Sequence, residues 1–267
     1  MIAQTAASTF NMDPSLVEAK LGDSLLPRAP VSGGSQSTAS VTPAVREAAT
    51  QAKLKLCELA INDPQSPLHG LKTTDLDTKD GRIFSKAKPS TGESFADLIA
   101  RNGNKPIEAT GSTEPGEDMS AYSTQSFGAV FAEVAVDRDT HMVKVRRVVG
   151  TYDIGALLND KTGLNQLMGG IVWGVSFALH EETFIDPVYG RAVNESLAEY
   201  HVPTNADIGT IDVTCVNIPD TKFNPLGARG IGEIGITGAA AAVANAIYNA
   251  TGKRIRDYPI TPDKLMA

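Results

Sequence analysis

The segment Gly230 to Gly235, GIGEIG, matches the dinucleotide-binding pattern G-x-G-x-x-G, yet its surroundings forbid the fold that pattern serves. A Rossmann unit needs a buried strand directly before the glycines and further βαβ units after the following helix. Here the preceding residues 224–229 read NPLGAR, and only about thirty residues follow. A nicotinamide-binding module therefore ranks last, and the match is accidental. What the segment does offer is a carboxylate, Glu233, between glycines that let a ligand approach the backbone closely. It stands just ahead of a small-residue helix, AAAAVANAIYNATG, closed by Gly252. Ile231, Ile234 and Ile236 as neighbours tend to raise a carboxyl pKa, which suits a general base near neutral pH. On local chemistry alone, a solvated glutamate capping the helix is the better reading.

The rest of the chain mixes helices and strands without internal repeats or regular βαβ units, which places it in the α+β class. IAQTAASTF reads as a short helix, and Asp13-Pro14 caps a second helical piece ending near Glu18. A strand-like stretch runs to Leu26 and gives way to the loop PRAPVSGGSQSTAS. Thr42-Pro43 opens a helix in which Val45, Ala48, Ala49, Ala52, Leu56 and Leu59 share one face through about Ala60. Residues 61–120 form a loop-rich insertion around a small hairpin and one helix, with 111–118 as a mobile surface connection. FGAVFAEVAV, residues 127–136, and the stretch from Met142 to Gly150 make a hairpin. After a loop over 151–163 comes a buried helix from about Leu164, its apolar face formed by Leu164, Leu167, Met168, Ile171, Val172, Val175 and Leu179. Gly169, Gly170 and Gly174 permit close packing there, and Trp173 belongs to the core. Turns fill 183–210, and a strand spans about Ile211 to Val216.

Charge and cysteine usage narrow the function classes. With 24 basic and 31 acidic side chains the net charge is -7, and no Lys/Arg block suits a phosphate backbone, so nucleic acid is excluded as a partner. The N-terminus lacks the regions of a secretory signal, and no run of roughly 18 apolar residues suits a membrane span. Cys57 and Cys215 belong to no C-x-x-C pair and read as buried free thiols. Any redox chemistry must then use a cofactor or cluster whose ligands are mostly not cysteines of this chain. His69, His141, His180 and His201 lack metal-ligand spacing, so no metal ligands are assigned. No G-x-S-x-G elbow surrounds Ser35 or Ser37.

Two loops suit an anion by position. Residues 33–38, GGSQST, and residues 156–162, ALLNDKT, both lie directly before a helix. Hydroxyls, backbone N–H groups and the amides of Gln36 and Gln166 would donate hydrogen bonds without charge. Taken singly, each loop reads by default as an ordinary N-cap.

Three stretches together carry a resemblance: PVSGGSQSTASVTPAV, NDKTGLNQLMGGIVWGVSFALHEET, and NPLGARGIGEIGITGAAAAVANAIYNATGKRIRDYPITPDKL. They resemble the large, molybdenum-binding subunit of the xanthine dehydrogenase and aldehyde oxidase family, most of all bacterial aldehyde oxidoreductase subunits. The resemblance covers most of the chain and is weakest between about residues 61 and 115. It implies that residues 1–267 are the C-terminal portion of the molybdopterin-binding domain of a molybdenum hydroxylase large subunit. It implies further that Glu233 is the general base for hydroxylating an aldehyde, or an N-heterocycle, with oxygen from water. Gly34, Ser35, Asn159, Asp160, Lys161, Thr162, Gln166, Arg229, Gly230, Ile231 and Gly232 are the implied contacts of a molybdenum-molybdopterin cofactor in its cytosine dinucleotide form. Implied partners are a chain bearing the upstream half of the large subunit, an iron-sulfur subunit and an FAD subunit. The glycine-rich segment the family carries before IAQTAAS has no counterpart here, so the chain reads as a split subunit, or as a truncated noncatalytic remnant or assembly element. The implied compartment is cytoplasmic, or periplasmic by export with a partner.

Overall fold

Apolar residues at helical spacing and short alternating strands build two compact units, which the computed structural model describes over residues 1–114 and 120–266. One unit comprises Met1–Val31, Ser37–Glu117 and Asn224–Leu226, the other Ser32–Gln36, Asp118–Phe223 and Gly227–Ala267. Of the surface connection expected at 111–118, residues 115–118 lie outside the described residues.

In the first unit, α1 (Ile2–Phe10) ends on Asn11 in the left-handed conformation, and a single 3₁₀ turn covers Pro14–Leu16. The strand expected before Leu26 is absent: residues 17–26 have no strand partner, and Leu21 and Leu25 are exposed. An apolar alternation without a neighbouring edge has nothing to pair with. Helix α2 (Ser37–Asn62) begins five residues before Thr42, so Pro43 sits inside it rather than opening it. Proline withdraws the donor that the Ala39 carbonyl would use. The Asn224 side-chain amide reaches that carbonyl instead, at 3.5 Å.

Residues 61–114 are more ordered than an insertion of loops. Strands β1 (Leu76–Lys79), β2 (Arg82–Ser85) and β3 (Gly92–Ser94) form an antiparallel sheet, and α3 (Phe95–Arg101) comes next, capped by Ser94. Leu68, Leu76, Ile83 and Leu98 from this segment pack with Leu56, Cys57 and Ala60 of α2 into one core. Scattered apolar residues thus find a common centre although no single stretch is periodic enough to announce it.

In the second unit the expected hairpin forms from β4 (Phe127–Val136) and β5 (Val143–Asp153), with a bulge between Glu133 and Val134. The Asp137 carboxylate accepts from the Asp139 and Thr140 N–H groups and the Thr140 hydroxyl, and these bonds fix the turn. After β5 comes α4 (Asp160–Leu179), and β6 (Thr210–Cys215) then pairs parallel to β5. One β-α-β crossover therefore exists where no regular βαβ unit is expected. Helices α5 (Ile234–Thr237), α6 (Ala239–Thr251) and α7 (Pro262–Met266) complete the unit. Val145 and Val148 of β5, Ile171 and Val175 of α4, and Val243 and Ile247 of α6 share its core.

Helix α4 buries Leu167, Gly170, Ile171, Gly174, Val175 and Ala178, a stripe at three- and four-residue spacing. Trp173 lies off this stripe and is 60% exposed, and Met168 and Phe177 are exposed as well, so the expectation of a core tryptophan is corrected. The abundance of apolar residues hid which face is covered. No helix among the described residues is long and apolar enough to cross a membrane.

Tyr152, 1% exposed, fills space left by two glycines: a Cβ on Gly128 would stand 2.5 Å from its ring, and one on Gly150 2.7 Å. Burial pushes its phenol up to about 12, with Cys215 adding to the shift. Because the folded chain favours the neutral phenol, its contribution to stability is complete below the ordinary value of 10.0 and is lost as pH rises towards about 12. Tyr152→Phe is expected to flatten the fall of the urea midpoint across that window. An unchanged alkaline fall would assign it to other groups.

Candidate cofactor site

Two glycine-bearing loops of the second unit meet because Gly230 and Gly232 carry no Cβ where they face Ser35. Gly34 and Ser35 both take positive φ, 60° and 55°, which turns the chain sharply over 33–36. A Cβ on Gly230 would stand 3.1 Å from the Ser35 carbonyl oxygen, and one on Gly232 would stand 2.9 Å from the Ser35 Oγ and 3.6 Å from the Gln166 Oε1. The Ser126 hydroxyl donates to the Gly230 carbonyl at 3.0 Å. Gly34, Ser35, Gln166, Gly230 and Gly232, far apart in sequence, are thereby brought together. Ile231 turns its half-buried side chain to the cluster of Tyr152, Ile154 and Leu167, which leaves its backbone for the loop surface.

Asn159 to Thr162 do not form the free loop before a helix that the sequence suggests. Asp160, Lys161 and Thr162 are the exposed first turn of α4, and the Asn159 side-chain oxygen caps it, accepting from the Thr162 N–H at 2.8 Å and hydroxyl at 2.9 Å. The hydroxyl and N–H of Thr162 are thus engaged within the helix end.

Arg229 departs further from expectation. Its side chain is 8% exposed, and its guanidinium is held by Asp153 at the end of β5 and by Asp220, the latter at 3.2 Å. Burial alone would raise the Asp153 carboxyl, but the Gly155 N–H and the Arg229 guanidinium outweigh it and hold the carboxyl below its usual range. Neither Asp153 nor Asp220 stands out in the sequence. Their signal, a buried arginine needing two carboxylates, appears only once the chain is folded.

Glu233 occupies the N-cap position of α5, where its side chain makes no capping hydrogen bond. Its carbonyl accepts from the Ile236 N–H at 3.2 Å and the Thr237 hydroxyl at 3.3 Å, while the carboxylate is exposed. Capping therefore does not account for it, and its isoleucine neighbours do not enclose it as the sequence suggests: Ile234 packs towards the Tyr152 cluster instead. The backbone just beyond Glu233 fixes its place. A Cβ on Gly235 would stand 2.6 Å from the Leu167 carbonyl oxygen, and one on Gly170 2.8 Å from the backbone of Gly235. Helix α4 and the start of α5 thus touch backbone to backbone, and Glu233 stands two residues from that contact.

The arrangement can receive an elongated polar ligand. It offers glycine backbone at the surface, the neutral donors of Ser35 and Gln166, and one exposed carboxylate. A cleft of about 700 Å³ at the turn end of the β4–β5 hairpin, lined by Arg138, Lys144, Arg146, His180 and Asp207 among others, contains none of these residues. Among the described residues no three His, Cys, Asp or Glu side chains gather so as to hold a metal ion.

The family model of the molybdopterin cofactor-binding domain matches residues 1–209. The chain is also 34% identical over 266 residues to PaoC of Escherichia coli K12, an aldehyde oxidoreductase molybdenum-binding subunit. This chain belongs to the molybdopterin cofactor-binding family of aldehyde oxidoreductases and xanthine dehydrogenases. Within that family it is 33% identical, over 57% of its length, to the putative xanthine dehydrogenase molybdenum-binding subunit XdhA of the same organism, of which the match covers 21%. Its fold matches 34% of the chain of quinoline 2-oxidoreductase from Pseudomonas putida 86, with a TM-score of 0.82 at 23% identity over 99% of this chain. All of this chain aligns with PaoC but spans 34% of its length. The α+β class and the large-subunit family expected from the sequence are thus established.

Proposed function

We propose that this chain supplies cofactor-facing loops and the general base of a molybdenum hydroxylase that oxidises an aldehyde or, less closely by resemblance, an N-heterocycle. The observation that carries the reading is the convergence of Gly34, Ser35, Gln166, Gly230 and Gly232 beside an exposed glutamate whose side chain makes no capping hydrogen bond. Such a surface suits a molybdopterin dinucleotide, in the cytosine form by resemblance, because neutral hydroxyl, amide and backbone groups can track a polar pterin and pyrophosphate without a rigid charge pattern. When bound, the cofactor supplies two-electron oxidation of the substrate with oxygen drawn from water.

The chain's own residues bind, orient and move a proton. Gly230 and Gly232 let backbone approach the ligand, and Ser35 and Gln166 contribute hydrogen bonds. The Glu233 carboxylate accepts the proton that water must lose for its oxygen to attack the substrate carbon, a task for a positioned general base. The remaining walls of the site fall, in this reading, to sequence that PaoC carries outside the matched third, and the electrons pass to iron-sulfur and FAD subunits.

The test is cofactor content. The complex purified through a tag on this chain, co-expressed with the other two thirds of a molybdenum-binding subunit, is expected to contain molybdenum and a pterin nucleotide, with CMP released on acid hydrolysis. A complex that assembles without either would overturn the reading and leave an assembly element.

A further inference from the structure

Arg229 lies four residues before Glu233, in a segment where Gly230 and Gly232 are dictated by the close approach of Ser35. Two glycines in so short a run give the backbone wide freedom, which is a poor foundation for a catalytic carboxylate. Something must hold the segment. The guanidinium of Arg229 is buried and shared between Asp153 and Asp220, whose side chains are each 18% exposed. Around it the backbone is tied as well. The Arg229 N–H donates to the Ile154 carbonyl at 2.9 Å, and the Gly227 carbonyl accepts from the Ala156 and Asp220 N–H groups at 2.7 and 2.9 Å. Gly155, at φ 69°, has no room for a Cβ, which would lie 2.1 Å from the Gly227 oxygen. The Gly155 N–H donates in turn to the Asp153 carboxylate at 3.1 Å.

We propose that Asp153, Arg229 and Asp220 form a charge clamp joining the loop after β5 to the glycine-rich loop, with Arg229 as a positioning residue for Glu233 rather than a cofactor ligand. Its Nη1 and Nη2 each donate to a carboxylate, and Nε is buried without a hydrogen-bond partner, so the guanidinium is committed inward and does not present itself to a phosphate. Lysine could not replace it fully, because a single ammonium cannot serve two carboxylates with fixed planar geometry. Removing Arg229 strips both carboxylates of their cation, and removing Asp153 leaves the guanidinium with Asp220 alone, so either change loosens the loop.

The term positioning rests on the proposed role of Glu233, but the first readout does not. Hydrogen exchange of the amides at 227–233, monitored by mass spectrometry on the full chain, is expected to quicken about tenfold in both Arg229→Met and Asp153→Asn. The double variant is expected to exchange no faster than the quicker single one, and Arg229→Lys to fall between Arg229→Met and the unaltered chain. In the cofactor-loaded complex both single variants should keep their pterin nucleotide while kcat falls more than KM changes. Exchange within about twofold of the unaltered chain in both singles would overturn the clamp. So would loss of pterin in Arg229→Met but not in Asp153→Asn, the signature of a ligand. Should Arg229→Met not fold, Asp220→Asn, which removes the longer contact alone, gives the same exchange readout. If Glu233 is not the base, Glu233→Gln stays active while the exchange result stands.

Discussion

Glu233→Gln is expected to lower turnover by about 10²–10⁴-fold in the assembled, cofactor-loaded complex, with molybdenum and pterin content unchanged. The amide keeps the size of the carboxylate and removes its ability to take a proton. Since the side chain makes no capping bond and is exposed in this chain, the substitution removes no structural contact seen here. Steady-state kinetics beside metal analysis separates the two effects. Full activity would remove Glu233 from the reaction, and lost metal would make it a structural residue after all.

The second large effect is expected from Gly170→Val. A side chain there must enter the backbone contact with Gly235 and Ile236, where even a Cβ would stand at 2.8 Å. Overpacking against backbone that cannot yield is expected to cost about 3 kcal/mol, read as a lowered urea midpoint of the second unit. Gly169→Val is the control. No described atom lies within 4 Å of its Cβ position, so a change within about 0.5 kcal/mol is expected. Equal tolerance of the two substitutions would mean that α4 and α5 do not meet as described.

How far the sequence could be read depended on the range of the interactions involved. The β4–β5 hairpin and α6 were legible because alternation, helical periodicity and the closing Gly252 are local signals. The start of α2 was misjudged because Pro43 is a strong local signal, overridden by a carbonyl partner, Asn224, 185 residues away. The sheet within 61–120 was underestimated because its three strands have only three or four residues each and are held by a core shared with α2. Of the candidate site, the glycines and Glu233 stood out by pattern and by resemblance. The engagement of Arg229 with Asp153 and Asp220 did not, because charge pairing across 76 and 9 residues leaves no periodic trace.

The exposed face of α4 carries Trp173, the chain's one tryptophan, which stands in solvent two turns along from Gln166 on the same helix. The indole is thus a built-in optical label near the loops proposed to face the cofactor, free of background from any second tryptophan of this chain. Its emission colour and quenching by iodide report the wetness of that helix face, so assembly of this chain with whatever covers α4 can be timed without attaching a dye.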